Sequence, residues 1–456
     1  MITDLTEGKV GRRILSFSVP MLLSVIFQQM YTLADFIIAG KYLGIDELAA
    51  VGVSGMVTFL FLAFATGSNI GASVVISKHF GAKEYGKMKT AISTSVIAVV
   101  SLAVFFTVEG RLTSAGILEI MNTAENIATH AEIYLNIYIY GLIFLFLYNI
   151  CNGVYSALGD SRTPFVFLVI SSLSNIALDY YLVVERGMGV DGVAWATFIC
   201  QGVASTLSAV TLVIRLIHFK ADEKGVIFSL PMLGEIGRLA VPSILQQSFV
   251  SVGNIMIMSK VNTFDTAFVA AYGSCIKLNT FIINCCMAIS NAVSSFTAQN
   301  IGAGKVNRVK YGFRYGLLFA ECVAVLFIVL FMLFPDSVIS IFLDTSKPEI
   351  IQDAILAGRD YIYIVSPAFL VMVLKVSCDA VLRGAGAMTE FMLGTFSSLF
   401  IRVIFSFLLG NWIGEIGIWI ALPLGWIFPC LMSYYFYKKG TWKRKINRPL
   451  IEEQTV

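Results

Sequence analysis

Charge is scarce in this sequence. Only 13% of its 456 residues are Asp, Glu, Lys or Arg, where an ordinary soluble domain carries about 25%. Hydrophobic residues make up 57%, so the chain cannot cover itself with a water-facing surface and is not a soluble globular protein. Histidine is rarer still: His79, His130 and His218 are the only three, and no compact Ser/His or metal-ligand cluster forms around them. The eight cysteines, Cys285 and Cys286 among them, follow no metal-ligand spacing and read as packing residues in apolar segments. No Gly-rich loop ending in Lys-Ser/Thr is present, which argues against direct ATP hydrolysis. The net charge of +3 gives no reason to invoke nucleic acid. These absences predict a protein that is not an enzyme and carries no cofactor.

What the chain has in abundance is apolar runs of about 20 residues or more, enough to cross roughly 30 Å of hydrocarbon as helix. Breaks of charge, Gly and Pro place helices near 14–38, 48–77, 91–108, 132–157, 163–184 and 191–217, then near 236–260, 268–297, 312–334, 358–382, 391–410 and 415–437. The expectation is an all-α polytopic membrane protein with twelve transmembrane helices. Barrel strands would be about 10 residues long with alternating faces, unlike these runs. The first apolar segment, from Ile14, is followed by no small-residue cleavage pattern and reads as a retained helix.

Basic residues alternate in density between the connections. One side collects Lys9, Arg12 and Arg13, then Lys78, Lys83, Lys87 and Lys89, and later Lys305, Arg308, Lys310 and Arg314. The other side has only Lys41, Arg111, Arg186, Lys260, Lys347 and Arg359. This bias puts both termini in the cytoplasm and the chain, multi-pass, in the inner (plasma) membrane, where its basic flanks meet membrane lipids.

The sequence also echoes itself. Val19-Pro20 recurs as Val241-Pro242, Phe80-Gly81-Ala82-Lys83 as Ile301-Gly302-Ala303-Gly304, and Gly189-Val190-Asp191-Gly192 as Gly414-Glu415-Ile416-Gly417. Similar separations imply two pseudo-symmetric six-helix bundles related about an axis along the membrane normal. The organisation read from this is an amino-terminal lobe over 1–218, a cytoplasmic linker over 219–235 whose later part has amphipathic character, a carboxy-terminal lobe over 236–440 and a cytoplasmic tail over 441–456. Facing bundles with a cavity between them are the design of a transporter working by alternating access.

Acids inside membrane helices are expensive and mark functional sites. Asp35 lies in the first helix and Asp179 in the fifth; burial disfavours a charged carboxylate, so both are candidates for carrying a proton or holding a cation. Asn175 is four residues before Asp179 and shares its face. Gln28 lies two turns before Asp35, and Thr197 on the sixth helix is placed to complete a polar pocket. The second half offers Lys277, Lys375, Asp379 and Arg402, of which Lys375 and Asp379 are spaced to neutralise each other as structural glue.

Taken in order, Val19-Pro20, Gln28-Gln29, Ala34-Asp35-Phe36-Ile37-Ile38-Ala39-Gly40, Gly52-Val53-Ser54, Asn175 through Asp179 and Leu382-Arg383-Gly384-Ala385-Gly386 make nearly the whole chain resemble the multidrug and toxic compound extrusion (MATE) family. The resemblance implies two six-helix lobes and export of organic, often cationic, compounds in exchange for protons or sodium. It assigns Asp35, Asn175, Asp179 and Thr197 to the coupling-ion network, with Gln28, Tyr134 and Tyr138 at its edge. Members with a second-lobe cation site carry a glutamate just beyond the Pro242 position; here Gln246, Gln247 and Val250 stand there, so coupling is expected through the amino-terminal lobe. The expected partners are lipophilic organic cations or other small molecules and a proton or sodium as coupling ion, with the monomer as the functional form. A flippase for a lipid-linked precursor is the alternative that Lys277, Lys375 and Arg402 keep open.

Overall fold

The computed structural model describes residues 2–219, 225–341, 343 and 348–445. Among them there is no strand. Fifteen α-helices follow one another: α1 (Val10–Tyr42), α2 (Ile45–Gly81), α3 (Tyr85–Ile120), α4 (Glu125–Tyr140), α5 (Leu142–Ala157), α6 (Arg162–Asp179), α7 (Val190–Ile217), α8 (Leu230–Val261), α9 (Thr266–Gly302), α10 (Val306–Leu333), α11 (Pro335–Ser340), α12 (Pro348–Val365), α13 (Phe369–Gly384), α14 (Met388–Trp412) and α15 (Glu415–Lys439). Eleven spans are long and apolar enough to cross a membrane, and α4 with α5, bent by 49°, make a twelfth. At 37 residues each, α2 and α9 run about 55 Å at 1.5 Å per residue and project beyond the hydrocarbon.

The irregularities have local causes. The α4–α5 bend falls at Gly141, which closes one helix and opens the next. Between α12 and α13 the chain tightens into a 3₁₀ turn over Ser366–Ala368, where Pro367 has no N–H to give to a continuous helix. The fifth span does not end at Asp179 but winds on as a π-helical segment over Tyr180–Glu185, a rare form that concentrates at functional sites.

The helices gather into two compact units, one formed by Leu23–Ile244 with the first residues up to Asp4, the other by Leu5–Leu22 with Leu245 onward. The divisions therefore lie inside α1 and α8, not at the 219–235 linker. Nor does the linker's later part form a surface helix of its own, because α8 already begins at Leu230; residues 220–224 and most of the 441–456 tail lie outside the described residues.

In the first unit the core is built around Phe61, Ile76, Phe146, Ile150 and Tyr155, and Met232 and Ile236 of α8 complete it. Gly67 and Gly71 on α2 make this possible: a Cβ on either would lie within 2.7 Å of backbone atoms of Ile244 or Ala240, so only glycine lets the two helices approach so closely. The second unit is organised around Trp419, with Phe268, Tyr272 and Tyr361 rings 5.2–5.5 Å away. There Ala292 and Phe296 of α9 receive Leu5, Ile14 and Phe17 from the start of the chain. The internal repeat is visible in the turns as well. Lys83 and Gly304 take the same left-handed position after α2 and α9, closed by matching bonds from Glu84 N to His79 O and from Lys305 N to Asn300 O.

Candidate coupling site

The chemistry-bearing side chains of the first unit converge from α1, α4, α6 and α7. Tyr31 and Asp35 are one helical turn apart on α1, and the Asp35 carboxyl is close enough to the Tyr31 hydroxyl and the Asp179 carboxyl to interact with both. Asp179, the last residue of α6, is 1% exposed, and Asn175 one turn earlier is 3% exposed. Neither oxygen of Asp179, neither polar atom of the Asn175 amide nor Asp35 Oδ1 meets a hydrogen-bond partner among the described residues. Buried polar atoms are normally satisfied, and each exception costs free energy unless something fills it. Two ionised carboxylates offer each other only acceptors, so their contact becomes a bond when one carries a proton or a cation lies between them.

The walls are aromatic. Tyr134 and Tyr138 of α4 stack with centroids 6.4 Å apart; the Tyr134 hydroxyl is close enough to feel both carboxylates, and Tyr138 reaches Thr58 on α2. Thr197 faces Tyr138 and Gln201 in a small recess. On α7 it is Cys200 that lies in the electrostatic field of the two acids. Gln28 is exposed lower on α1. Tyr31 and Cys200 escaped the sequence reading. The first carried a signal, its four-residue spacing from Asp35, whereas the second depends on how α6 and α7 pack.

In the second unit the polar residues are dispersed. Lys375 Nζ donates to Asp379 Oδ2 at 2.7 Å, and Ser433 Oγ donates to Asp379 Oδ1 at 2.7 Å, so this buried carboxylate is fully engaged. Arg402 of α14 donates to Asn254 of α8, and Lys277 is exposed on α9. Arg383 donates to Asn291 at 2.6 Å. Neither Lys277 nor Arg402 belongs to the Lys375–Asp379 pair.

The family described as MatE matches residues 20–181 and again 242–408, one stretch in each half and each starting at a proline of the repeat. The chain is 29% identical over 447 residues to the "Probable multidrug resistance protein YpnP" of Bacillus subtilis (strain 168), covering 96% of this chain and 97% of that protein. It is 23% identical to the "FAD transporter" of Shewanella oneidensis, over 76% and 77% of the two chains. A solved structure of a multidrug resistance MATE family transporter of the MOP superfamily, in an outward-facing conformation, superposes with a TM-score of 0.89 over 97% of this chain and 99% of that one, at 23% identity. That likeness is one of fold.

Proposed function

This chain belongs to the multidrug and toxic compound extrusion family, a family of membrane transporters, and from that premise we propose that it exports lipophilic organic cations across the cell membrane in exchange for protons. The observation that carries the coupling reading is the closeness of Asp35 and Asp179, the half-buried carboxyl of the first beside the buried one of the second, near enough to interact. Such a pair holds one shared proton more readily than two negative charges. Entry of a cationic substrate and departure of that proton then exchange one charge for another. A cation bound on one side and a proton on the other bias a two-state equilibrium, which is the thermodynamic requirement of antiport.

The substrate class draws its support from relatives named for multidrug resistance and from the sequence's 35 Phe and 18 Tyr, since apolar area and aromatic faces attract lipophilic cations without demanding one shape. The lipid-linked-precursor alternative gains no support from these relatives. The charge bias of the connecting segments supports a cytoplasmic location for both termini.

Reconstituted vesicles test the reading directly. A fluorescent organic cation is expected to be transported under an imposed pH gradient and not under a sodium gradient alone. Sodium-driven transport without proton movement would reassign the ion, and strict recognition of an anionic lipid with no response to cations would overturn the substrate class.

A further inference from the structure

On the flank of the first unit, α6 and α7 leave a groove of about 560 Å³ between them, within the roughly 300–1,000 Å³ range of ligand sites. One wall runs along a face of the fifth span from Phe167 on α6 to Tyr181 on the π-helical segment, about 20 Å at helical rise. Ile170 and Val203 on its rim are each 55% exposed, on helices long and apolar enough to span the membrane. The lining is almost wholly apolar. Of its few polar groups, Ser171 already donates to the Cys200 carbonyl.

One end of the groove is different. Tyr181 lines it there, and its hydroxyl accepts from Arg186 Nε at 2.8 Å and from Nη2 at 2.5 Å, with the guanidinium 5.2 Å above the Tyr181 ring. Arg186 is exposed, and no carboxylate pairs with it among the described residues, although Glu185 and Asp191 are near in the chain. Tyr180, next in the chain to Tyr181, has Tyr42 edge-on at 6.4 Å, with Lys41 over the Tyr42 ring at 5.3 Å. Tyrosines and long cations grouped in this way sit at headgroup level in a bilayer.

We propose that this groove is a binding site for one phospholipid, its acyl chain along the apolar trough and its phosphate on Arg186. The trough takes a long unbranched apolar chain, and the guanidinium offers the hydrogen-bond geometry that a phosphate accepts. The groove's inner wall includes Cys200 and Leu178, the former in the field of Asp35 and Asp179 and the latter adjoining Asp179. A seated chain therefore covers the groove side of the turn that carries the coupling acid.

Native mass spectrometry of the full chain in detergent, titrated with palmitoyl-oleoyl phosphatidylglycerol, tests the site by lipid retention and not by transport, so its outcome is separate from the coupling reading. One retained lipid per chain is expected. R186Q is expected to weaken retention about tenfold, the loss of roughly one charge-assisted hydrogen bond, and A177F to abolish it by filling the trough. Palmitoyl-oleoyl glycerol, which lacks the phosphate, is expected to bind the wild type as weakly as phosphatidylglycerol binds R186Q. Should A177F fail to fold, R186Q, a surface change, decides alone. Unchanged retention in R186Q, equal binding of the phosphate-free lipid, or displacement of the lipid by tetraphenylphosphonium would each overturn the proposal, the last by giving the groove to a cationic substrate.

Discussion

The carboxyl groups of Asp35 on α1 and Asp179 on α6 are neighbours close enough to interact, while neither oxygen of Asp179 meets a hydrogen-bond partner among the described residues. In the proposed exchange, this contact between two helices distant in sequence depends on a proton. D35N and D179N remove that dependence while keeping size and shape, because an amide does not titrate. Each is expected to insert normally and to reduce pH-driven efflux to the level of protein-free vesicles. Proton release from the purified protein on adding substrate is expected to vanish in both. Wild-type release in either variant would remove that residue from the coupling group.

Tyr31 is a positioning group in this reading, since its hydroxyl reaches Asp35 and its own proton is not exchanged. Y31F is expected to retain coupled transport but to shift its pH profile, losing about 1 kcal/mol, roughly fivefold in the proton equilibrium. N175A is expected to act with similar size. A pH profile identical to that of the wild type at equal abundance would show that Tyr31 merely packs.

Most of the helices were legible in the sequence because lipid imposes a simple rule: spans must be long, apolar and internally hydrogen-bonded. The acids were legible for the same reason, since Asp35 and Asp179 interrupt apolar runs. Gly141 and Pro367 were visible as residues, but the 49° bend and the 3₁₀ turn they accompany depend on neighbouring packing. The π-helical segment after Asp179 has no sequence signature at all. The sharing of α1 and α8 between units was equally hidden. It rests on tertiary contacts such as those of Gly67 with Ile244 and of Ile14 with Ala292, and hydropathy reports burial without naming the partner.

The loop between α5 and α6 is held by a carboxylate outside the spans. Asp160, 1% exposed, accepts from Thr163 Oγ1 at 2.8 Å and from the Arg162 and Thr163 backbone N–H groups, and pairs with Arg215 of α7. Burial works against its charged form, but the Thr163 bonds together with the positive charge near it outweigh burial and hold the carboxyl below its ordinary value of 3.8. A carboxyl lowered on folding stabilises the fold above its unfolded value, and that contribution is lost as pH falls through the folded one. D160N is expected to cost about 3 kcal/mol at neutral pH. Thermal unfolding in detergent should show a constant gap between wild type and D160N down to about pH 5, narrowing only below about pH 4. A gap that widens on acidification would contradict the assignment.

Lys375 and Asp379 repeat the four-residue spacing of Asn175 and Asp179, yet the environment gives them the opposite character. Both Asp379 oxygens are engaged, one by Lys375 and one by Ser433 of α15, and Gly394 of α14 leaves room for that contact, since a Cβ there would stand 2.6 Å from Ser433 Oγ. With the two charges facing each other at side-chain exposures of 9% and 8%, the pair joins α13 to α15 without an unfilled valence for a transported ion. We propose a structural role for it, whose signature is that removing one member is worse than removing both. K375M or D379L alone is expected to destabilise the protein by about 3–5 kcal/mol, because each leaves an uncompensated charge in a low-dielectric interior. The double variant K375M/D379L is expected to recover most of that loss, since an apolar pair of similar volume avoids the cost of burying the charges. Thermal unfolding of the four proteins gives the coupling energy as a double-mutant cycle, and vesicle efflux supplies the functional half. If the folded double variant has lost pH-driven transport, the pair is part of the coupling machinery and the contrast with Asp179 fails.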